Sequence, residues 1–185
     1  SNLPISFEVF SDDLKDMEEE ARIINSWGGN SYVKIPISNT KGESTSNVIK
    51  NLNKDNIKLN ITAIFTVDQL KNILDSFNNP TPSIISVFAG RIADSGLDPM
   101  KIMNECAQIV KSKENMELLW ASSREVLNIF QAEESNSQII TIAPEILDKL
   151  KFLNKDLNEF SLDTVKDFFK DANSAGFNLL KKDSH

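Results

Sequence analysis

The chain has 185 residues, 40% hydrophobic and 25% charged, which fits one soluble globular domain with a sizeable core. A net charge of −7 and a pI near 4.8 exclude the broad basic footprint of a nucleic-acid binder, yet leave room for a few local arginines that hold an anionic metabolite. The single Cys106 excludes an intrachain disulfide and fits a reducing cytoplasm, no apolar run approaches the roughly 20 residues of a membrane span, and the Cys and His spacings of a structural zinc site are absent.

In chain order, ISFEVF (5–10) reads as a strand. Residues 12–27 follow as a helix, with Leu14, Met17, Ala21, Ile24 and Trp27 at steps of three and four, Ser11 as N-cap, and Gly28 and Gly29 as terminator. YVKIPI (32–37) is the second strand, with a helix near 43–53. LNITAIF (59–65) is the third, with a helix near 67–77. SIISVFAG (83–90) is the fourth, with a helix near 99–112. MELLWAS (116–122) is the fifth, with a helix near 124–132. QIITIAP (138–144) is the sixth, with a short helix from Glu145. A last helix near 162–172 takes Ser161 as its cap. The strands recur about every 25 to 30 residues with helices between them, the pattern of a parallel α/β sheet. Six units suit either an open doubly wound sheet or six-eighths of a (β/α)8 barrel. No GxGxxG or Walker-type loop favours the open sheet, and WGGN (27–30) follows a helix instead of a strand. The N-terminus has neither the basic flank nor the apolar core of a signal peptide.

Parallel α/β folds place their sites at the carboxyl ends of the strands. Read there, the six strands offer Glu8, then Lys34, then Asn60 and Thr62, then Ser86, Arg91 and Asp94, then Ser122 and Arg124, and finally Thr141. Each has a plain structural reading. Glu8 can sit on a solvated edge, Arg91 can pair with Asp94 at the surface, and Ser122 can cap a helix opening at Ser123 or Arg124. Their recurrence on six successive strands argues for chemistry. A lysine in a desolvated pocket loses its charge readily and can attack a ketone to form a Schiff base. A carboxylate such as Glu8, working through a water, can move the protons. Asn60, Thr62 and Ser86 suit sugar hydroxyls. Arg91, Arg124, Ser122 and a helix N-terminus opening near Arg124 suit a phosphate. The opposing account is a non-catalytic domain in which Lys34 pairs with Glu8.

These segments resemble the transaldolase family over essentially the whole chain. PISFEV resembles its glutamate strand and YVKIPIS its Schiff-base strand. LNITAIFTVDQ resembles the N-x-T segment, SVFAGRIAD the S-x-F-x-G-R segment, and WASSRE the A-S-x-R segment. The resemblance implies a (β/α)8 TIM barrel of class I aldolase type. It implies Lys34, Glu8 and Thr62 as catalytic residues, with Glu8 and Thr62 holding the catalytic water. Asn60, Ser86, Phe88, Arg91, Ser122 and Arg124 would bind substrate, with no metal and no cofactor. The implied reaction is transfer of a dihydroxyacetone unit from sedoheptulose 7-phosphate or fructose 6-phosphate to an aldose phosphate in the pentose phosphate pathway. The similar fructose-6-phosphate aldolases carry glutamine and tyrosine where this chain has Glu8 and Phe88, which favours transaldolase over a simple lyase.

The family has two further strands before the one matching ISFEVF. The chain is therefore expected to be an N-terminally incomplete barrel, one domain over 1–185 lacking its first two βα units, with a C-terminal helical segment over 161–185. An inactive fragment is the corresponding alternative. The expected partners are sugar phosphates, with neither nucleic acid nor membrane, and a homo-oligomer stays open. Trp27 and Trp120 are read as packing residues, Phe168, Phe169 and Phe177 as cover for the barrel, and His185 as a frayed terminus.

Overall fold

Six parallel strands lie side by side in chain order in the computed structural model, which describes residues 3–176. They are β1 (Ile5–Glu8), β2 (Ser31–Pro36), β3 (Leu59–Ile64), β4 (Ser83–Val87), β5 (Met116–Trp120) and β6 (Ile139–Ile140). Between and after them run α1 (Leu14–Ser26), α2 (Ser46–Lys54), α3 (Val67–Ile73), α4 (Ala89–Asp94), α5 (Met100–Lys111), α6 (Leu127–Glu134) and α7 (Pro144–Leu147). A doubly wound sheet reverses strand order at a switch point; this sheet never does. The fold is α/β, a curled half-barrel of six strands that corresponds to part of a (β/α)8 barrel. These elements make one compact unit ending at Leu147; a second begins at Asp148 and carries α8 (Leu157–Ser174).

Strand residues alternate between two faces, and each face has its own apolar cluster. On the helix side Val33, Ile35, Leu59, Ile61, Ile85, Val87, Leu118 and Trp120 pack with Met17, Ala21, Ile49, Leu52, Leu70, Ile73, Met103 and Cys106 from the helices. On the inner side a smaller cluster of Tyr32, Ile84, Leu119 and Ala121, flanked by Phe88 and Ile139, seals the floor. The register pairs Glu8 with Lys34, Lys34 with Asn60, and Pro36 with Thr62. The polar residues of the first three strands thus share the inner face, above the floor.

Element boundaries depart from the sequence expectations where local hydrogen bonds decide them. Asp13, not Ser11, caps α1 by accepting from Lys15 and Asp16 N–H; Ser11 instead donates to Glu20. Thr66 and Gln69 form a capping box that fixes the start of α3. The helix expected at Arg124 starts three residues later, at Leu127, because Asn128 Oδ1 takes the N–H groups of Arg124 and Glu125. The last helix starts at Leu157, with Asp156 as its cap. Helix α4 has no counterpart in the sequence reading. Trp120 is fully buried as expected, whereas Trp27 is 60% exposed and stands edge-on to Phe7, ring centroids 5.2 Å apart. Phe168 and Phe169 are exposed on α8; Phe177 and His185 lie outside the described residues.

Cys106 is fully buried on α5, and desolvation first, then the charge of Glu105, pushes its thiol up to about 11. At pH 8 only about one molecule in a thousand carries the thiolate. Iodoacetamide at pH 8 should leave Cys106 unmodified in the folded protein and label it after denaturation, as read by intact mass. Linkage gives the companion expectation. The unfolded thiol ionises near 9 and the folded one near 11, so stability from this group is complete below pH 9 and falls as pH rises between those values.

Candidate active site

A cleft of about 620 Å³ opens above the inner cluster, lined by Ser6, Lys34, Asn60, Thr62, Ser86, Phe88, Ser122, Ser123, Arg124 and Thr141, with Leu119 and Ala121 among its apolar wall. Of the nine site residues expected from sequence, seven line it. Glu8 stands at its rim, joined to it through Lys34. Arg91 is exposed on α4 with its guanidinium 5.5 Å from the centre of the Phe88 ring, and is not among the lining side chains.

Lys34 Nζ donates to Glu8 Oε2 at 3.1 Å. Their side chains retain 30% and 47% exposure, so the amine is not in the apolar enclosure expected from the strand pattern. It faces a carboxylate at a partly open mouth. Glu8 is the hydrogen-bond acceptor in contact with it.

A chain of hydrogen bonds crosses the inner face beside Lys34. Ser86 donates to Asn60 Oδ1 at 2.7 Å, and Asn60 Nδ2 donates to Ser6 Oγ at 3.0 Å. Both polar ends of the Asn60 amide are thereby fixed, which orients a buried side chain at the level of the lysine. Thr62 is 2% exposed, and its hydroxyl has no hydrogen-bond partner among the described residues. Buried hydroxyls are ordinarily satisfied, so this one can bond a group that enters the cleft. A bulge lies beside it. Ile61 pairs with Ile85 and Ile64 with Val87, so β3 has one more residue than β4 over this stretch, and Ala63 takes up the turn at φ +60°. Bulges that re-aim side chains recur beside active sites.

The far wall is the loop after β5. Ser122 adopts φ +63°, and the hydroxyl of Ser123 is buried without a partner among the described residues. Arg124 donates from Nη2 to Asp94 Oδ2 at 2.7 Å. A surface pair with Arg91 is the plain structural reading of Asp94; the structure pairs Asp94 with Arg124, from the neighbouring βα unit. Below, burial and the charge of Glu117 raise the Tyr32 hydroxyl above its ordinary range, and Lys58 Nζ lies 5.6 Å from its ring.

Sequence reasoning missed Ser6, Ser123 and Asn128. Ser6 carries a legible signal, standing two residues before Glu8 and so on the same strand face. Ser123 lies in a loop whose backbone path no periodicity gives.

The family model described as Transaldolase/Fructose-6-phosphate aldolase matches residues 1–182. The chain is 28% identical over 169 residues to a probable transaldolase of Nitrosopumilus maritimus, covering 90% of this chain and 72% of that one. It is 30% identical over 170 residues to a probable transaldolase of a Thermoanaerobacter species, covering 91% and 74%. It is 32% identical over 148 residues to probable transaldolase 2 of Listeria monocytogenes, covering 80% and 64%. The chain thus spans roughly two thirds to three quarters of the length of these curated relatives.

Proposed function

Since the chain belongs to the transaldolase/fructose-6-phosphate aldolase family, we propose that its cleft performs Schiff-base transfer of a dihydroxyacetone unit between sugar phosphates. The observation that carries this reading is Lys34 in contact with Glu8 at the mouth of a cleft whose walls hold oriented amide and hydroxyl groups.

Lys34 Nζ, after giving a proton to Glu8, attacks the ketose carbonyl carbon. The carbinolamine loses water and becomes an iminium. Electrons of the bond between the α- and β-carbons then flow into it, and the β-hydroxyl proton passes to a base. An aldose phosphate departs, leaving an enamine on Lys34. The acceptor aldehyde is attacked by the enamine carbon, and hydrolysis of the new iminium frees the product and the amine. Glu8 and Thr62 fit the two sides of a bridging water that moves these protons. Asn60 and Ser86 are placed to fix the donor hydroxyls, Phe88 supplies an apolar wall, and Ser122 with Arg124 suit the phosphate. Arg91, outside the cleft wall, fits a phosphate that projects past Phe88. Sedoheptulose 7-phosphate or fructose 6-phosphate would be the donor, with erythrose 4-phosphate or glyceraldehyde 3-phosphate the acceptor, as in the pentose phosphate pathway. No helix among the described residues is long and apolar enough to cross a membrane, and we place the reaction in the cytoplasm.

A second reading draws on the same contact: Lys34 and Glu8 form only a structural ion pair. Reductive trapping separates the two. With fructose 6-phosphate and borohydride, an adduct of dihydroxyacetone or hexose-phosphate mass should map to Lys34 by peptide mass spectrometry. A protein that folds, binds fructose 6-phosphate and yields no adduct would leave the structural pair standing. Adding an acceptor tests the finer point. Product formed only with acceptor supports transaldolase; free dihydroxyacetone without one indicates a lyase.

A further inference from the structure

We propose that Asp94 is a positioning residue that aims the Arg124 guanidinium into the cleft and so sets affinity for the phosphate of the substrate; the inference rests on the anchor reading of Arg124 given above. Helix α4 meets the loop after β5 at two points. Gly90 N–H donates to Ala121 O at 3.2 Å, and the Gly90 Cα packs against the Ser122 carbonyl. One turn later Asp94 Oδ2 accepts from Arg124 Nη2 at 2.7 Å. Positions 90 and 94 are four apart and lie on one face of the helix, so α4 lays a single edge along the loop. Arg91 falls off that edge and turns toward Phe88.

The backbone of Arg124 is held independently. Asn128, 6% exposed, accepts the N–H groups of Arg124 and Glu125 and donates to Gln131 Oε1 at 2.8 Å. A long side chain tethered only at its root would sample many rotamers, and binding an anion would cost that freedom. Asp94 removes it in advance while engaging one amino group, Nη2. The rest of the guanidinium fork is left for phosphate oxygens.

The test measures dissociation constants by calorimetry for fructose 6-phosphate and for fructose, on the wild-type chain and on Asp94→Ala, Asp94→Asn, Arg124→Ala and the Asp94→Ala/Arg124→Ala double variant. Asp94→Ala should weaken fructose 6-phosphate about fivefold, with fructose unaffected. Asp94→Asn, which keeps the accepting oxygen, should stay within about twofold of wild type. The double variant should bind no worse than Arg124→Ala alone, since Asp94 acts through Arg124. Unchanged or tighter binding by Asp94→Ala, or a double variant with additive losses, overturns the inference while the anchor reading stands. An unaffected Arg124→Ala, or a wild type that binds fructose 6-phosphate no better than fructose, overturns the anchor reading and this inference with it. Circular dichroism confirms that each variant is folded, and the fructose measurement detects any general damage to the cleft.

Discussion

Lys34→Met should abolish borohydride-trapped adduct and lower any measured turnover by roughly a thousandfold or more, with the fold intact. Methionine matches the stem of lysine in length and lacks the nucleophile. Its structural cost is small because the ion pair it removes is partly solvated on both sides, with Lys34 and Glu8 at 30% and 47% exposure. Such pairs contribute about 1 kcal/mol or less. The denaturation midpoint should therefore barely move. Lys34→Arg sharpens the result. Arginine keeps a cation facing Glu8 but does not deprotonate in proteins, so a structural pair would survive the change and a Schiff base would not. The catalytic reading expects neither variant to form adduct. The ion-pair reading expects Lys34→Arg to match wild type in every respect, adduct included, because there would be none to lose. Glu8→Gln completes the set: the amine remains, so adduct should still form, about a hundredfold or more slowly, because the group in contact with its proton no longer accepts one.

The residues that were legible in the sequence and those that were not differ in what fixes them. Val33, Ile35 and Ile37 are β-branched and alternate, so β2 and the facing of Lys34 follow from the side-chain period of two. The same rule carries Glu8 on β1 and Asn60 on β3 to the inner face, and the register agrees. Periodicity fails at Ala63, just past Thr62, where β3 takes an extra residue and the backbone turns to φ +60°; nothing in LNITAIF marks a bulge. It fails also for α4, six residues long with a glycine second, too short for a helical repeat to show. The consequence falls on the arginines. Arg91 and Arg124 look alike in sequence, each a few residues beyond a strand end. Only the phase of α4 turns Arg91 toward Phe88, and only the delay of α6 to Leu127 leaves Arg124 in a loop against the cleft. Nearness in sequence offers Asp94 as a local partner for Arg91; its contact with Arg124 of the next βα unit is visible only once the sheet is curled.

Gly90→Ala should destabilise the protein by about 3 kcal/mol or more, the largest loss expected from alanine at any of its glycines. A β-carbon at this position would lie 1.6 Å from Ser122 O and 2.6 Å from Ser122 C. Both are backbone atoms, so no side-chain rotation relieves the overlap: α4 or the loop must move. The loop is poorly placed to yield. Ser122 already holds φ +63°, Ala121 O accepts the Gly90 N–H, and Arg124 is fixed by Asn128 at its backbone. For a chain of this size the loss corresponds to a melting temperature lower by about 6 to 12 °C. Displacement of the loop also carries Arg124 with it, so affinity for fructose 6-phosphate should fall about tenfold, beyond the loss from Asp94→Ala. Gly96→Ala is the control. Gly96 sits at φ +84° in open space, so an alanine there meets only backbone strain, worth about 1 kcal/mol, and lies away from the cleft. A Gly90→Ala protein that melts within about 2 °C of wild type and binds fructose 6-phosphate equally well would mean that α4 slides freely on the loop. The contact between them could then be no template for the phosphate side of the cleft.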